Sequence, residues 1–157
     1  MNITSGSFSN GGAIDPKHAM KAINGGKNIS PNVRISGAPA GTKSLALAFV
    51  DRHPMAGGWV HWLAAGIDPA TSDIKEGASL HAMPSGTREM INTFGAKGYG
   101  GPQPPRGSGP HRYELTVYAL SESPQLREKE YTEKEFLNAI SNKVLAKAAI
   151  AGIFENR

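Results

Sequence analysis

Glycine and proline punctuate this chain so densely that few long helices can exist in it. Nineteen glycines and eleven prolines in 157 residues amount to about 19%, against roughly 12% in average proteins. Each proline removes a backbone donor and each glycine weakens a regular element, so an all-helical bundle is excluded. The length suits one domain, expected to span residues 1–157. Between residues 1 and 44 the pairs Gly11-Gly12, Gly25-Gly26 and Ser30-Pro31, then Gly37, Pro39 and Gly41, recur every few residues, which fits short strands joined by turns.

Leu45 to Val50 is an unbroken apolar run without polar alternation and reads as a strand covered on both faces. Val60 to Ile67 reads as its neighbour, stopped by Asp68-Pro69, and residues 73–88 as a connector without firm periodicity. Residues 95–110 hold six glycines and four prolines. A loop this long and this stiff inside one domain is usually functional. Beyond it, Leu115, Val117 and Ala119 alternate with Thr116 and Tyr118, a strand signal. Thr132 and Glu135 form a capping box, and Phe136, Leu137, Ile140, Val144 and Ala148 follow at helical spacing with Gly152 placed to end the helix. The expected architecture is a β-rich body carrying one terminal helix.

Several function classes drop out. The chain has no cysteine, which removes disulfides, thiolate metal sites and cysteine nucleophiles, and an unstapled small domain leans towards the cytoplasm. The N-terminus lacks the basic and apolar regions of a signal peptide, and the longest apolar run is six residues, too short to span a membrane. A net charge of +4 is carried by scattered basic residues, without the basic stripe and interleaved aromatics that nucleic acid would demand. Gly41-Thr42-Lys43-Ser44 is no phosphate loop, because threonine separates glycine from lysine and a strand follows. No serine sits in a nucleophile elbow, and the Gly98–Gly101 turn lacks the third glycine of a dinucleotide loop.

What remains are polar clusters at strand ends. Asp51-Arg52-His53-Pro54 follows the buried strand, Trp59 and His61 open the next two residues apart, and His111 and Tyr113 close the glycine–proline loop with the same spacing. Residues two apart in a strand share a face, so Asp51, Trp59, His61, His111 and Tyr113 can line one cavity. Two imidazoles and a phenol can donate hydrogen bonds to an anion, while the aspartate orients an imidazole or holds an ammonium group. Two histidines and a carboxylate could alternatively hold an open metal site, although separations of ten and fifty residues match no local ligand motif.

These residues also carry a family resemblance. Asn28-Ile29-Ser30-Pro31, the strand ending at Asp51, Trp59-Val60-His61-Trp62, Asn92 with Phe94-Gly95, and the run from Gly98 to Tyr113 (Gly-Tyr-Gly-Gly-Pro-Gln-Pro-Pro…His-Arg-Tyr) resemble the phosphatidylethanolamine-binding protein family, more closely its bacterial and archaeal, Raf kinase inhibitor-like branch. The resemblance implies a mainly β fold: a two-sheet antiparallel β-sandwich with Greek-key connections, a C-terminal helix, and a small anion pocket at one end. It places the ligand-binding residues at Asp51, Trp59, His61, Pro105, His111 and Tyr113; Arg52, His53 and Arg106, which the resemblance does not supply, are candidates for the rim. Where the family usually reads Asp-Pro-Asp-Ala-Pro, this chain has Asp51-Arg52-His53-Pro54-Met55. The second aspartate is gone, which weakens amine recognition more than phosphate recognition. Ile35 stands where a tryptophan is common.

The function expected is a non-enzymatic binding protein for phosphate-bearing small molecules or phospholipid headgroups, with a regulatory role. The alternative is a serine protease or kinase inhibitor acting by protein contact. No cofactor and no metal are expected, and the prokaryotic relatives suggest a homodimer.

Overall fold

The computed structural model describes residues 1–157. Its eight strands are β1 (Asn2–Thr4), β2 (Val33–Ser36), β3 (Ser44–Asp51), β4 (Val60–Ile67), β5 (Asp73–Ile74), β6 (Arg88–Glu89), β7 (His111–Leu120) and β8 (Val144–Phe154), with one α-helix, α1 (Glu133–Ile140), before β8. They form two antiparallel sheets, β1-β2-β5 and β6-β4-β3-β7-β8. Within the larger sheet β7 returns to lie beside β3, giving the spatial order β7-β3-β4-β6 of a Greek key.

Every residue of β3 is buried because both of its faces are covered. Leu45, Leu47 and Phe49 pack towards the small sheet, against Ile3, Val33, Ile35 and Ile74. Ala46, Ala48 and Val50 face the other way, into a second core with Tyr118, Leu120 and the α1 residues Phe136 and Ile140. Small side chains on that outer face let the helix sit close. The alternation expected in β7 is present, with Leu115, Val117 and Ala119 in the first core and Tyr118 in the second.

The capping box is present as expected: Thr132 Oγ1 accepts from the Glu135 amide at 3.1 Å, and Glu135 accepts from the Thr132 amide at 2.8 Å. The helix, however, stops at Ile140. Val144, Ala148 and Gly152, expected to continue it, lie instead in β8, which pairs with all ten residues of β7. Alanine-rich sequence favours a helix locally, but tertiary pairing overrides that preference here. A period-two pattern separates exposed Leu145, Lys147 and Ala149 from the half-buried Val144, Ala146 and Ala148. Gly152 ends no helix. A Cβ there would stand 2.5 Å from Ile14 Cγ1 and 3.0 Å from Phe8, so the residue admits the N-terminal segment against the sheet.

Candidate functional site

β3 and β7 run side by side so that Asp51 sits opposite Tyr113, and the alternation of β7 puts His111 and Tyr113 on one face. β4 contributes His61 by a local irregularity. Phe49 pairs with Trp62 and Val50 with Val60, leaving His61 as the extra residue of a β-bulge. Simple alternation would send His61 and Trp62 to opposite faces. With the bulge, Trp62 packs in the inter-sheet core, and His61 lies edge-on to Phe49 at 6.0 Å and to Tyr113 at 5.1 Å.

The glycine–proline loop closes over this end of the sheet. Gly100 N–H donates to the His61 carbonyl at 2.8 Å, and His61 Nδ1 bonds the Gly100 carbonyl at 2.6 Å. Asn28, in a left-handed conformation, accepts from Gly101 N–H at 2.7 Å, and Asn92 donates to the Gly98 carbonyl at 2.9 Å. Gly101 must be glycine, since a Cβ would fall 2.0 Å from the His18 carbonyl oxygen.

Between loop and sheet lies a cavity of about 260 Å³. All six residues expected to bind ligand, Asp51, Trp59, His61, Pro105, His111 and Tyr113, line it. Sequence reasoning missed Met55, Ala56, Phe94, Gln103 and Pro104 as further lining. Phe94 packs edge-on against Trp59 at 5.3 Å and His61 at 5.5 Å. Its place in the Asn92–Gly95 motif was the available signal. Met55 is 61% exposed and Trp59 36%, so the mouth is apolar above a polar floor.

The rim assignments need correction. Arg52 turns to the opposite face of the sheet, because β3 alternation carries it away from Asp51. There its guanidinium binds Glu133 at 2.6 Å and Glu114 at 2.9 Å, tying the start of α1 to the sheet. These carboxylates raise its pKa further above an already high value, against the opposing effect of burial. Arg106 is exposed on the loop and does not line the cavity, since its backbone follows Pro104 and Pro105 out into solvent. His53 stands one layer back, its ring stacked on His111 at 3.9 Å.

The floor is a hydrogen-bonded chain. Asp51 Oδ1 accepts from the His53 amide at 2.8 Å, and Asp51 Oδ2 lies 2.6 Å from His111 Nδ1. His111 Nε2 reaches Ser108 Oγ at 3.0 Å, and that hydroxyl donates to the Pro105 carbonyl at 2.6 Å. His61 is fully buried, and desolvation lowers its pKa to about 4, with the Gly100 bond opposing in part. Tyr113 is buried, and its hydroxyl has no partner at ordinary hydrogen-bond distance, with the Asp51 carboxylate beside it. Burial, then the Asp51 charge, pushes its pKa above the ordinary phenol range. The expectation that both imidazoles donate to an anion is therefore corrected: His61 Nδ1 is taken by the Gly100 carbonyl, and both nitrogens of His111 already have protein partners. No group of three or more histidine, aspartate or glutamate side chains is disposed to hold a metal ion.

The chain is similar to several known proteins. The family model described as phosphatidylethanolamine-binding protein matches residues 4–155. A UPF0098 protein of Aquifex aeolicus is 36% identical over 99% of this chain and 88% of its own length. A Mycobacterium tuberculosis relative named as a lipoprotein, LppC, is 33% identical over 99% of this chain and 72% of its own. The crystal structure of Escherichia coli YbcL, described as a member of the mammalian PEBP family, superposes with a TM-score of 0.90 at 28% identity, covering 99% of this chain and 98% of that one. A carboxypeptidase Y inhibitor, solved with its cognate proteinase, shares the fold at TM-score 0.61 and 15% identity, over 99% and 83% of the two chains. With a family model spanning nearly every residue, and a site assembled from the motifs that carried the resemblance, this chain belongs to the phosphatidylethanolamine-binding protein family.

Proposed function

We propose that the chain is a non-enzymatic binding protein whose cavity takes a small phosphate-bearing ligand or headgroup, through which it regulates partners in the cytoplasm. The observation that carries this reading is the Tyr113 hydroxyl, a buried donor with no partner at ordinary hydrogen-bond distance, lining a cavity of about 260 Å³ beside Asp51. Leaving a buried donor unpaired costs about 1–3 kcal/mol, which an acceptor on a ligand would recover. Trp59, Met55 and Phe94 would pack the ligand's carbon atoms, while Asp51 holds His111 in place. Each Asp51 oxygen already has one protein partner, the His53 amide on Oδ1 and His111 Nδ1 on Oδ2.

The test is a histidine- and tyrosine-detected NMR titration with inorganic phosphate and O-phosphoethanolamine. Saturable shifts at His61, His111 and Tyr113, abolished in Tyr113→Phe, are expected. No shift with either ligand up to millimolar concentration would remove the phosphate reading. Contact inhibition of a protease or kinase is the second reading, favoured by the exposed Met55 and Trp59 at the mouth. It requires loss of enzyme activity at stoichiometric protein, reversed by Met55→Asp.

A further inference from the structure

We infer that Asn24 is a site of spontaneous deamidation, whose side chain cyclises onto the Gly25 amide and opens to aspartate and isoaspartate, while Asn10, in the same dipeptide and the same kind of turn, is protected by its pairing with β8. The modified turn lies between two anchors of the glycine–proline loop, so the reaction bears on that loop.

The chain holds two Asn–Gly pairs, Asn10-Gly11 and Asn24-Gly25. A glycine after asparagine leaves the attacking backbone nitrogen unshielded by any side chain. Both pairs form the centre of a four-residue turn closed by a 2.8 Å hydrogen bond, from Gly12 N–H to the Ser9 carbonyl and from Gly26 N–H to the Ile23 carbonyl. Gly11 and Gly25 have nearly the same positive φ, 80° and 79°. All four residues are exposed. Sequence, turn and exposure therefore do not separate the two pairs.

Their hydrogen bonds do. Gly11 N–H donates to the Ala151 carbonyl at 2.7 Å, and Asn10 Oδ1 accepts from Ala151 N–H at 2.9 Å. The nitrogen that would attack and the amide that would be attacked are thus both held by one residue of β8. Around Asn24 there is no such clamp, since Gly25 N–H has no backbone acceptor. The bonds to Ala151 must open before Asn10 can react, which slows it on the order of tenfold or more.

At Asn24 the Gly25 nitrogen gives its proton to a solvent base and bonds to Cγ. The Cγ–Nδ2 bond then breaks, and ammonia leaves with a proton taken from solvent. Water opens the resulting five-membered succinimide. Cleavage between Cγ and the Gly25 nitrogen yields aspartate, and cleavage between the backbone carbonyl carbon and that nitrogen yields isoaspartate. The net change is amide plus water to carboxylate plus ammonium, with nothing oxidised or reduced.

Isoaspartate carries the main chain through Cγ and lengthens the turn by one atom. The turn has little slack, because a Cβ at Gly26 would fall 2.0 Å from the Met20 carbonyl oxygen and 2.9 Å from that of Ile23. Just before the turn, Met20 N–H donates to the Pro102 carbonyl at 3.0 Å. Just after it, Asn28 accepts from Gly101 N–H at 2.7 Å. Lengthening the chain between these two anchors should loosen the loop they hold.

The experiment ages the full chain in mildly alkaline buffer, folded and in urea, and follows both sites by mass spectrometry. Trypsin places Asn10 and Asn24 in separate peptides, residues 1–17 and 22–27, and electron-transfer fragmentation tells isoaspartate from aspartate. In the folded chain Asn24 should convert at least on the order of tenfold faster than Asn10, and in urea the two rates should converge. Equal rates in the folded chain, or Asn10 first, overturn the protection by β8. An Asn24 that stays amide when folded yet converts in urea overturns the site itself. Hydrogen exchange at the Gly101 amide should be several-fold faster in aged than in fresh protein, and unchanged exchange overturns the link to the loop. Asn24→Gln, whose longer side chain would need a six-membered ring, should keep both its amide and the slow exchange through the same incubation.

Discussion

Lowering the pH should destabilise this protein through one identifiable imidazole. His61 is buried neutral, with its pKa displaced from 6.5 to about 4. Below pH 6.5 the unfolded chain takes up a proton there that the folded chain refuses until near pH 4, so the unfolded state binds more protons across that window and stability falls as pH falls. At about 1.4 kcal/mol per pH unit, the interval amounts to about 3 kcal/mol, fully present above pH 6.5 and lost by pH 4. Urea melts at half-unit steps from pH 4 to 7.5, on wild type and His61→Gln, isolate it from the carboxylates that titrate in the same range. The difference between the two stability curves should change by about 3 kcal/mol across the window, with the variant showing the shallower pH dependence. Parallel curves would show that His61 is not held neutral.

Tyr113→Phe removes a buried hydroxyl that has no partner and should leave the ligand-free protein as stable or up to about 2 kcal/mol more stable, while its thermal stabilisation by phosphate disappears. A melt lowered by several degrees would mean the hydroxyl has a partner in solution. Arg52→Met breaks half-exposed ion pairs to Glu114 and Glu133, for which a loss of no more than about 1 kcal/mol and unchanged phosphate affinity are expected. Weakened phosphate binding would return Arg52 to the rim. Gly152→Ala forces a methyl to 2.5 Å from Ile14 and should cost about 1–3 kcal/mol by overpacking in a denaturation series. A neutral effect would mean the N-terminal segment is not seated there.

Much of this molecule was legible in its sequence because the signals were local. A six-residue apolar run without alternation, too short for a typical helix, reads as a strand covered twice, and β3 is one. Thr132 and Glu135 needed only three residues of context to announce the start of α1. The end of that helix was not legible, since the alanines of β8 satisfy helical spacing and strand alternation alike, and only β7 alongside decides between them. The site shows the same division. Its lining followed from residues two apart at strand ends and from the family motifs. Its hydrogen-bond polarity did not, because that depends on the carbonyl of Gly100 and the hydroxyl of Ser108 reaching the two imidazoles. Arg52 looked like part of the site by adjacency to Asp51, yet one residue along a strand is the opposite face.

The central claim is that a phosphoryl group occupies the cavity between Tyr113 and His61. A crystal structure of the protein soaked with O-phosphoethanolamine near pH 6 tests it most directly. A phosphoryl oxygen should lie within hydrogen-bonding distance, about 2.5–3.2 Å, of the Tyr113 hydroxyl, with the ligand's carbons against Trp59 and Phe94. A cavity holding only water at saturating ligand, or a phosphoryl group bound elsewhere on the surface, would contradict the claim.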